Sequence, residues 1–200
     1  MIKSIGFDQN EIIGNILNLH CKEYIQVDPT FSKGNFYKNR PRPKYCFDIA
    51  PQFDFVIQAD CRNLPLASGR FETVILDGPF GVGSGPSLLE NKNGRNIVPG
   101  RFGCFRTGKE LTEFYQQAVP EMFRILASGG ILIQKIQPVV GCGRQWITHV
   151  VSINTALTAG FIFKDEFILL AKQRPISGKI KKQQHARKFH SYFYVFKKGA

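Results

Sequence analysis

Four aspartates each close a short apolar run. Asp28 follows Tyr24–Val27 and Asp48 follows Tyr45–Phe47. Asp60 follows Phe55–Ile57 by way of Gln58 and Ala59, and Asp77 follows Phe71–Leu76. Apolar runs bounded by turn residues predict buried strands. Ligands of open α/β sheets bind outside the carboxyl ends of the strands. Four strands ending this way would line one sheet edge with four carboxylates. A single Asp after a strand is commonly an Asx-turn or a helix cap; four in succession carry more weight.

Other chemistries lack their residues. No His and carboxylate pairing suits a hydrolase, and no Gly-x-Ser-x-Gly elbow occurs. Gly81-Val82-Gly83-Ser84-Gly85 is not a phosphate loop, because no Gly-Lys-Ser/Thr follows it. The five cysteines, at 21, 46, 61, 104 and 142, include no Cys-x-x-Cys pair, and no His stands at zinc spacing. Neither a metal site nor a disulfide framework is expected, and reduced thiols point to the cytoplasm. Lys135 and Gln137 follow the fifth apolar run near the same edge, as substrate contacts or solvated side chains. His185 and His190 could meet phosphate or be structural.

The elements that must position these residues read as follows. Thr107 and Glu110 form a capping box. Apolar residues from Leu111 to Leu126 then keep helical period, with Pro120 as a kink or break. Ser128-Gly129-Gly130 ends that helix and strand Ile131–Ile136 follows. A second helix is expected from Arg144 to Ala159, with Trp146, Val150, Ile153 and Leu157 on one face. Strand Phe161–Ala171, a basic loop and strand Tyr192–Phe196 complete the chain. That loop leaves no room for a helical crossover, so the last two strands should be antiparallel neighbours. The expected fold is α/β, a single domain over residues 1–200 around a seven-stranded, mostly parallel sheet with an antiparallel last strand. Residues 81–106, long and glycine-rich, are expected to form a lid or substrate loop.

The chain has 200 residues, 43% of them hydrophobic, which suits one domain with a sizeable core. Its net charge is +12, unevenly placed. From Phe167 onward there are nine Lys or Arg and no acid, whereas residues 1–166 carry 18 basic against 15 acidic. A localised basic patch predicts a polyanion partner, most often nucleic acid. The basic loop, 172–190, offers Lys179, Lys181, Lys182, Arg187 and Lys188 for phosphates. No apolar run suits a membrane span, and Asp8 and Glu11 interrupt any N-terminal signal pattern. The sequence is silent on oligomeric state.

The order of these motifs resembles that of small Rossmann-like methyltransferases that use S-adenosylmethionine. It is most similar to those methylating exocyclic amino groups of nucleic-acid bases, such as phage and prophage DNA adenine methyltransferases. The resemblance spans about residues 24–198. Asp28-Pro29-Thr30-Phe31-Ser32-Lys33-Gly34 resembles the family's Asp-Pro-Phe-x-Gly-x-Gly, though only one glycine, Gly34, is present. Asp77-Gly78-Pro79-Phe80 resembles its Asp-Pro-Pro-Phe/Tyr, with Gly78 in place of proline. Ala127–Gly130 and Ala159-Gly160-Phe161 resemble the Pro-Gly-Gly and Gly-Phe turns before its fifth and sixth strands.

The resemblance implies roles. Asp28, Pro29 and Gly34 would meet the methionine end of S-adenosylmethionine, Asp48 the ribose hydroxyls, and Asp60 with Cys61 the adenine ring. Asp77 and the Gly78 carbonyl, braced by Pro79, would accept the two N–H groups of a target amine, and Phe80 would stack on the extruded base. DNA is favoured over RNA. An RNA base methyltransferase and a non-catalytic nucleic-acid-binding protein of the same fold are alternatives. A nicotinamide-dinucleotide enzyme is disfavoured by the missing Gly-x-Gly-x-x-Gly.

Overall fold

A computed structural model describes residues 1–22, 24–83, 104–141, 143–173 and 183–199. The first half contributes β1 (Ile5–Gly6), α1 (Gln9–His20), β2 (Val27–Asp28), β3 (Tyr45–Asp48), β4 (Ile57–Gln58) and β5 (Phe71–Leu76). Two short strands follow, β6 (Gly81–Val82) and β7 (Cys104–Phe105). The second half contributes α2 (Gly108–Ile125), β8 (Leu126–Ile136), β9 (Val139–Gly141), β10 (Arg144–Trp146), α3 (Thr148–Thr158), β11 (Phe161–Leu170) and β12 (His190–Lys198).

Eight strands form the main sheet in the order β1-β11-β12-β8-β5-β2-β3-β4. All pairs are parallel except those of β12, which runs antiparallel between β8 and β11. The expected α/β architecture and antiparallel final strand are therefore present. The eighth strand is β1, a two-residue edge strand pairing Ile5 with Ile168. Two residues carry no readable alternation.

The central strands alternate sides, as period two demands. Val74, Leu76 and Leu132 pack under α2 with Leu111, Tyr115 and Met122. Ile75, Ile131 and Ile133 pack on the opposite side with Ile12, Ile13 and Ile16 of α1. Three layers result, helices on both faces of one sheet.

Three local expectations need correction. Helix α1 is not among the expected elements, although Asp8 caps it by accepting the Asn10 N–H at 2.8 Å. The same Asp8 and Glu11 that break a signal pattern are ordinary residues of a helix start. Helix α2 passes through Pro120 and stops at Ile125, and β8 already takes in Ser128, Gly129 and Gly130. The third correction concerns α3. It begins at Thr148, because Arg144–Trp146 pairs with β9 as a hairpin. Its buried stripe is Thr148, Ser152 and Ala156, while Val150 and Leu157 are 38% and 48% exposed. Small side chains let the helix lie close to the sheet, where Ser152 donates to Gln134 Oε1 at 2.8 Å and Thr148 to the Gln137 carbonyl at 3.0 Å.

Candidate active site

Strands β2 and β5 are neighbours, with Val27 opposite Val74. From β2 the chain winds outward through β3 and β4, then returns to build β5 and β8 on the other side. This reversal makes a topological switch point, whose carboxyl edge is the usual ligand position of an open α/β sheet. Asp28 ends β2 and Asp77 stands one residue beyond β5, so the topology brings these two aspartates together.

Asp28 is 1% exposed and bonded within its own loop. Its Oδ1 accepts the Thr30 N–H at 2.9 Å and the Thr30 hydroxyl at 3.3 Å, and its Oδ2 accepts the Tyr37 hydroxyl at 2.7 Å. Burial pushes its carboxyl up to about 7, against the pull of these hydrogen bonds, and the nearby Asp77 adds to the rise. Asp28 thus organises the segment from Pro29 to Tyr37. In that segment Phe31 stacks on Tyr37 with ring centres 5.4 Å apart. Gly34 is left-handed, φ +64°, and a Cβ there would lie 2.8 Å from the Phe31 ring. The glycine therefore serves the closure of the loop upon itself.

The Asp77 N–H donates to Thr30 Oγ1 at 2.9 Å. Its Oδ2 accepts from Lys135 Nζ at 3.2 Å, whereas its Oδ1 is buried with no partner among the described residues. Burial raises this carboxyl and Lys135 holds it back. Gly78 is buried, and a Cβ there would fall 2.6 Å from the Phe114 ring and 3.4 Å from the Tyr115 hydroxyl. Proline at this position would meet the same ring, which accounts physically for glycine. Phe80 is partly buried against the α2-side core. The Tyr115 hydroxyl is likewise buried without a partner among the described residues, and burial, Asp77 and Cys61 all raise it.

Asp48 ends β3. Its Oδ2 accepts the Ser32 N–H at 2.8 Å and its Oδ1 the Ala50 N–H at 2.9 Å, tying the β2 loop to β3. Asp60 lies beyond β4 and is chelated by Arg62, with Nη2 2.6 Å from Oδ2; this partner holds the carboxyl below its usual range. Cys61 beside it is buried, its thiol pushed up to about 12 by burial. Arg187 and Lys188 precede β12. Lys179, Lys181 and Lys182, and residues 84–103 of the expected lid, lie outside the described residues.

All four aspartates stand at the carboxyl edge. The structure joins Asp28 to Asp77 through Thr30, and Asp48 to the same loop through Ser32. Sequence reasoning missed Thr30, Tyr37, Arg62 and Tyr115. It left Lys135 undecided between substrate and solvent; the structure pairs it with Asp77. A lysine inside the apolar run Ile131–Ile136 was the available signal, because charges are rarely buried unpaired.

The donor and acceptor balance can be tested against S-adenosylmethionine, which presents a ribose diol, an adenine amine, an α-ammonium and a sulfonium cation. The edge offers carboxylates at Asp48 and Asp60. At the switch point the nearby Asp77 adds to the rise of the Asp28 carboxyl, and Asp48 ties the Asp28 loop to β3. Carboxylate acceptors at Asp48 and Asp60 fit the ribose diol and the adenine amine of such a donor-rich molecule. The structure also shows that Asp60 must share its carboxylate with Arg62.

No family model and no curated protein matches the sequence. Solved structures do. TrmN from Thermus thermophilus superposes with a TM-score of 0.52 at 14% identity, over 94% of this chain and 48% of that one. Another Thermus thermophilus protein, named as a candidate DNA modification methylase, was solved with S-adenosyl-L-methionine. It gives a TM-score of 0.46 at 16% identity, over 71% and 54% of the two chains. An S-adenosylmethionine-dependent methyltransferase from Thermotoga maritima gives 0.49 at 14% identity, over 93% and 86%. This chain spans about half the length of the first two proteins. At 14% identity the likeness to TrmN is one of fold: the chain has a Rossmann-like α/β fold.

Proposed function

We propose that this protein is an S-adenosylmethionine-dependent methyltransferase acting on an exocyclic amino group of a nucleic-acid base, adenine in DNA being the favoured target. The observation that carries the reading is Asp77 at the switch point, held by Lys135, with Phe80 three residues on. S-adenosylmethionine, when bound, supplies an electrophilic methyl group. Asp28, Pro29 and Gly34 shape the loop at its methionine end, Asp48 accepts from the ribose, and Asp60 with Cys61 meets the adenine.

The chain's own residues then do little covalent work. An exocyclic amine is planar and its lone pair is delocalised into the ring. The Asp77 carboxylate accepts one N–H and the Gly78 carbonyl the other, which aims the lone pair, and the carboxylate takes the proton that the amine sheds. Phe80 stacks on the base once it has left the helix. Catalysis rests on orientation.

Incubation with tritium-labelled S-adenosylmethionine and either DNA or RNA, followed by nucleoside analysis, tests this reading. Label in methylated adenine from DNA is expected. Label only in RNA would move the substrate to the RNA alternative. No label in either, with the protein folded, would leave a non-catalytic nucleic-acid-binding protein.

A further inference from the structure

We infer that Lys135 is a positioning residue of this site: one ammonium group holds Asp77 and Phe80 in a single arrangement toward the target amine. The inference rests on the proposed reaction and deepens it.

Lys135 lies one residue from the carboxyl end of β8, paired with Phe193 of β12. Its side chain is 14% exposed, and Nζ stands 3.2 Å from Asp77 Oδ2 and 3.3 Å from Gln9 Oε1. The ring centres of Phe36, Phe193 and Phe80 lie at 5.1, 5.9 and 6.0 Å from the same nitrogen. A cation over aromatic faces is attracted by their negative quadrupoles, and more strongly when desolvated. The group is therefore held from three elements besides its own: α1 by Gln9, the segment before β3 by Phe36, and β12 by Phe193.

A proline after Asp77 would stiffen the turn through its fixed φ. Here Phe114 excludes it, and the turn must be ordered from outside. Thr30 takes the Asp77 N–H, Phe114 and Tyr115 press on Gly78, and Lys135 takes Asp77 Oδ2 while lying near Phe80. The titratable groups facing Asp77 are Lys135, Asp28 and Tyr115. Of these only Lys135 favours the ionised carboxylate. Without it, burial would keep a proton on Asp77, and a carboxylic acid is a poorer acceptor for an amine N–H.

The test is the carboxyl carbon resonance of Asp77, titrated in the free protein as wild type, Lys135→Met and Lys135→Arg. Lys135→Met is expected to move the midpoint up by roughly one to three pH units, the usual effect of an adjacent cation, and Lys135→Arg to restore most of it. The acid limb of the methyl-transfer profile should move by the same amount. If Lys135→Met does not fold, Lys135→Gln takes its place, with the same upward movement of the Asp77 midpoint expected. Equal midpoints in either comparison overturn the inference. A shifted Asp77 midpoint with no methyl transfer by the wild type would instead overturn the proposed reaction and leave the Lys135–Asp77 coupling standing.

Discussion

The Thr30 hydroxyl accepts the main-chain N–H of Asp77 at 2.9 Å across 47 residues of sequence and donates its own proton toward Asp28 Oδ1 at 3.3 Å. One side chain thus locks the loop after β2 to the turn after β5. Thr30→Val keeps the shape and removes both bonds. It should cost about 1–3 kcal/mol, the penalty of a polar group left unpaired, while Thr30→Ser should lose much less. Urea denaturation of the two variants checks this, and equal stabilities would contradict it.

Asp28 should make stability fall as pH rises. Its folded carboxyl sits at about 7, above the ordinary 3.8, so the folded chain binds this proton more tightly than the unfolded chain. The contribution is fully present below about pH 4 and is lost as pH climbs through about 7. Asp28→Asn keeps an acceptor for Thr30 and removes the titration. Relative to wild type the variant should gain stability between about pH 4 and about pH 7, at roughly 1.4 kcal/mol for each pH unit crossed. Thermal denaturation at both pH values measures the gain; an unchanged difference would contradict it.

Gly78→Ala should be destabilising by about 1–3 kcal/mol, because its Cβ is driven into the Phe114 ring. Gly78→Pro should behave no better, despite matching the turn that the sequence resembles. Trimming the ring in Gly78→Ala/Phe114→Leu should recover part of the loss. A double variant no more stable than Gly78→Ala would mean that the contact is not the cause.

These contacts also show what the sequence could disclose. The strand ends were readable, since apolar runs closing on Asp28, Asp48, Asp60 and Asp77 locate the sheet edge without coordinates. The last two strands were readable from the lack of room for a crossover. The buried stripe of α3 was not, because Thr148, Ser152 and Ala156 are small or polar, and their burial reflects the sheet beneath them. The Thr30–Asp28 contact is a local Asx-turn, but the bonds from Asp77 to Thr30 and from Tyr37 to Asp28 span 47 and 9 residues, which no local pattern encodes. Gly34 was legible as a special position, but its partner, the Phe31 ring, was not.

The basic segment ahead of β12 should engage phosphates. Replacing Lys181 and Lys182 by Gln should lower the slope of log affinity against log salt on duplex DNA by about two, at about 0.9 per phosphate contact. The loss should be alike for all sequences, since phosphate contacts carry no base identity. Fluorescence anisotropy over a salt series gives the slope, and an unchanged slope would make this stretch a solvated face.

The most direct test of the account is single-turnover methyl transfer by Asp77→Ala, measured beside calorimetric binding of S-adenosylmethionine. Removing the carboxylate deletes a preorganised acceptor at the reacting nitrogen, which typically costs about 10²–10³ in rate. The cofactor contacts proposed at Asp48 and Asp60 lie on β3 and in the turn beyond β4, and the Asp28 loop is tied through Thr30 to the Asp77 main chain, which the substitution leaves in place. The account therefore predicts a rate lowered by at least about 10² with cofactor affinity nearly unchanged. A near-normal rate on the true substrate would contradict it, and would reduce Asp77-Gly78-Pro79-Phe80 to a structural turn.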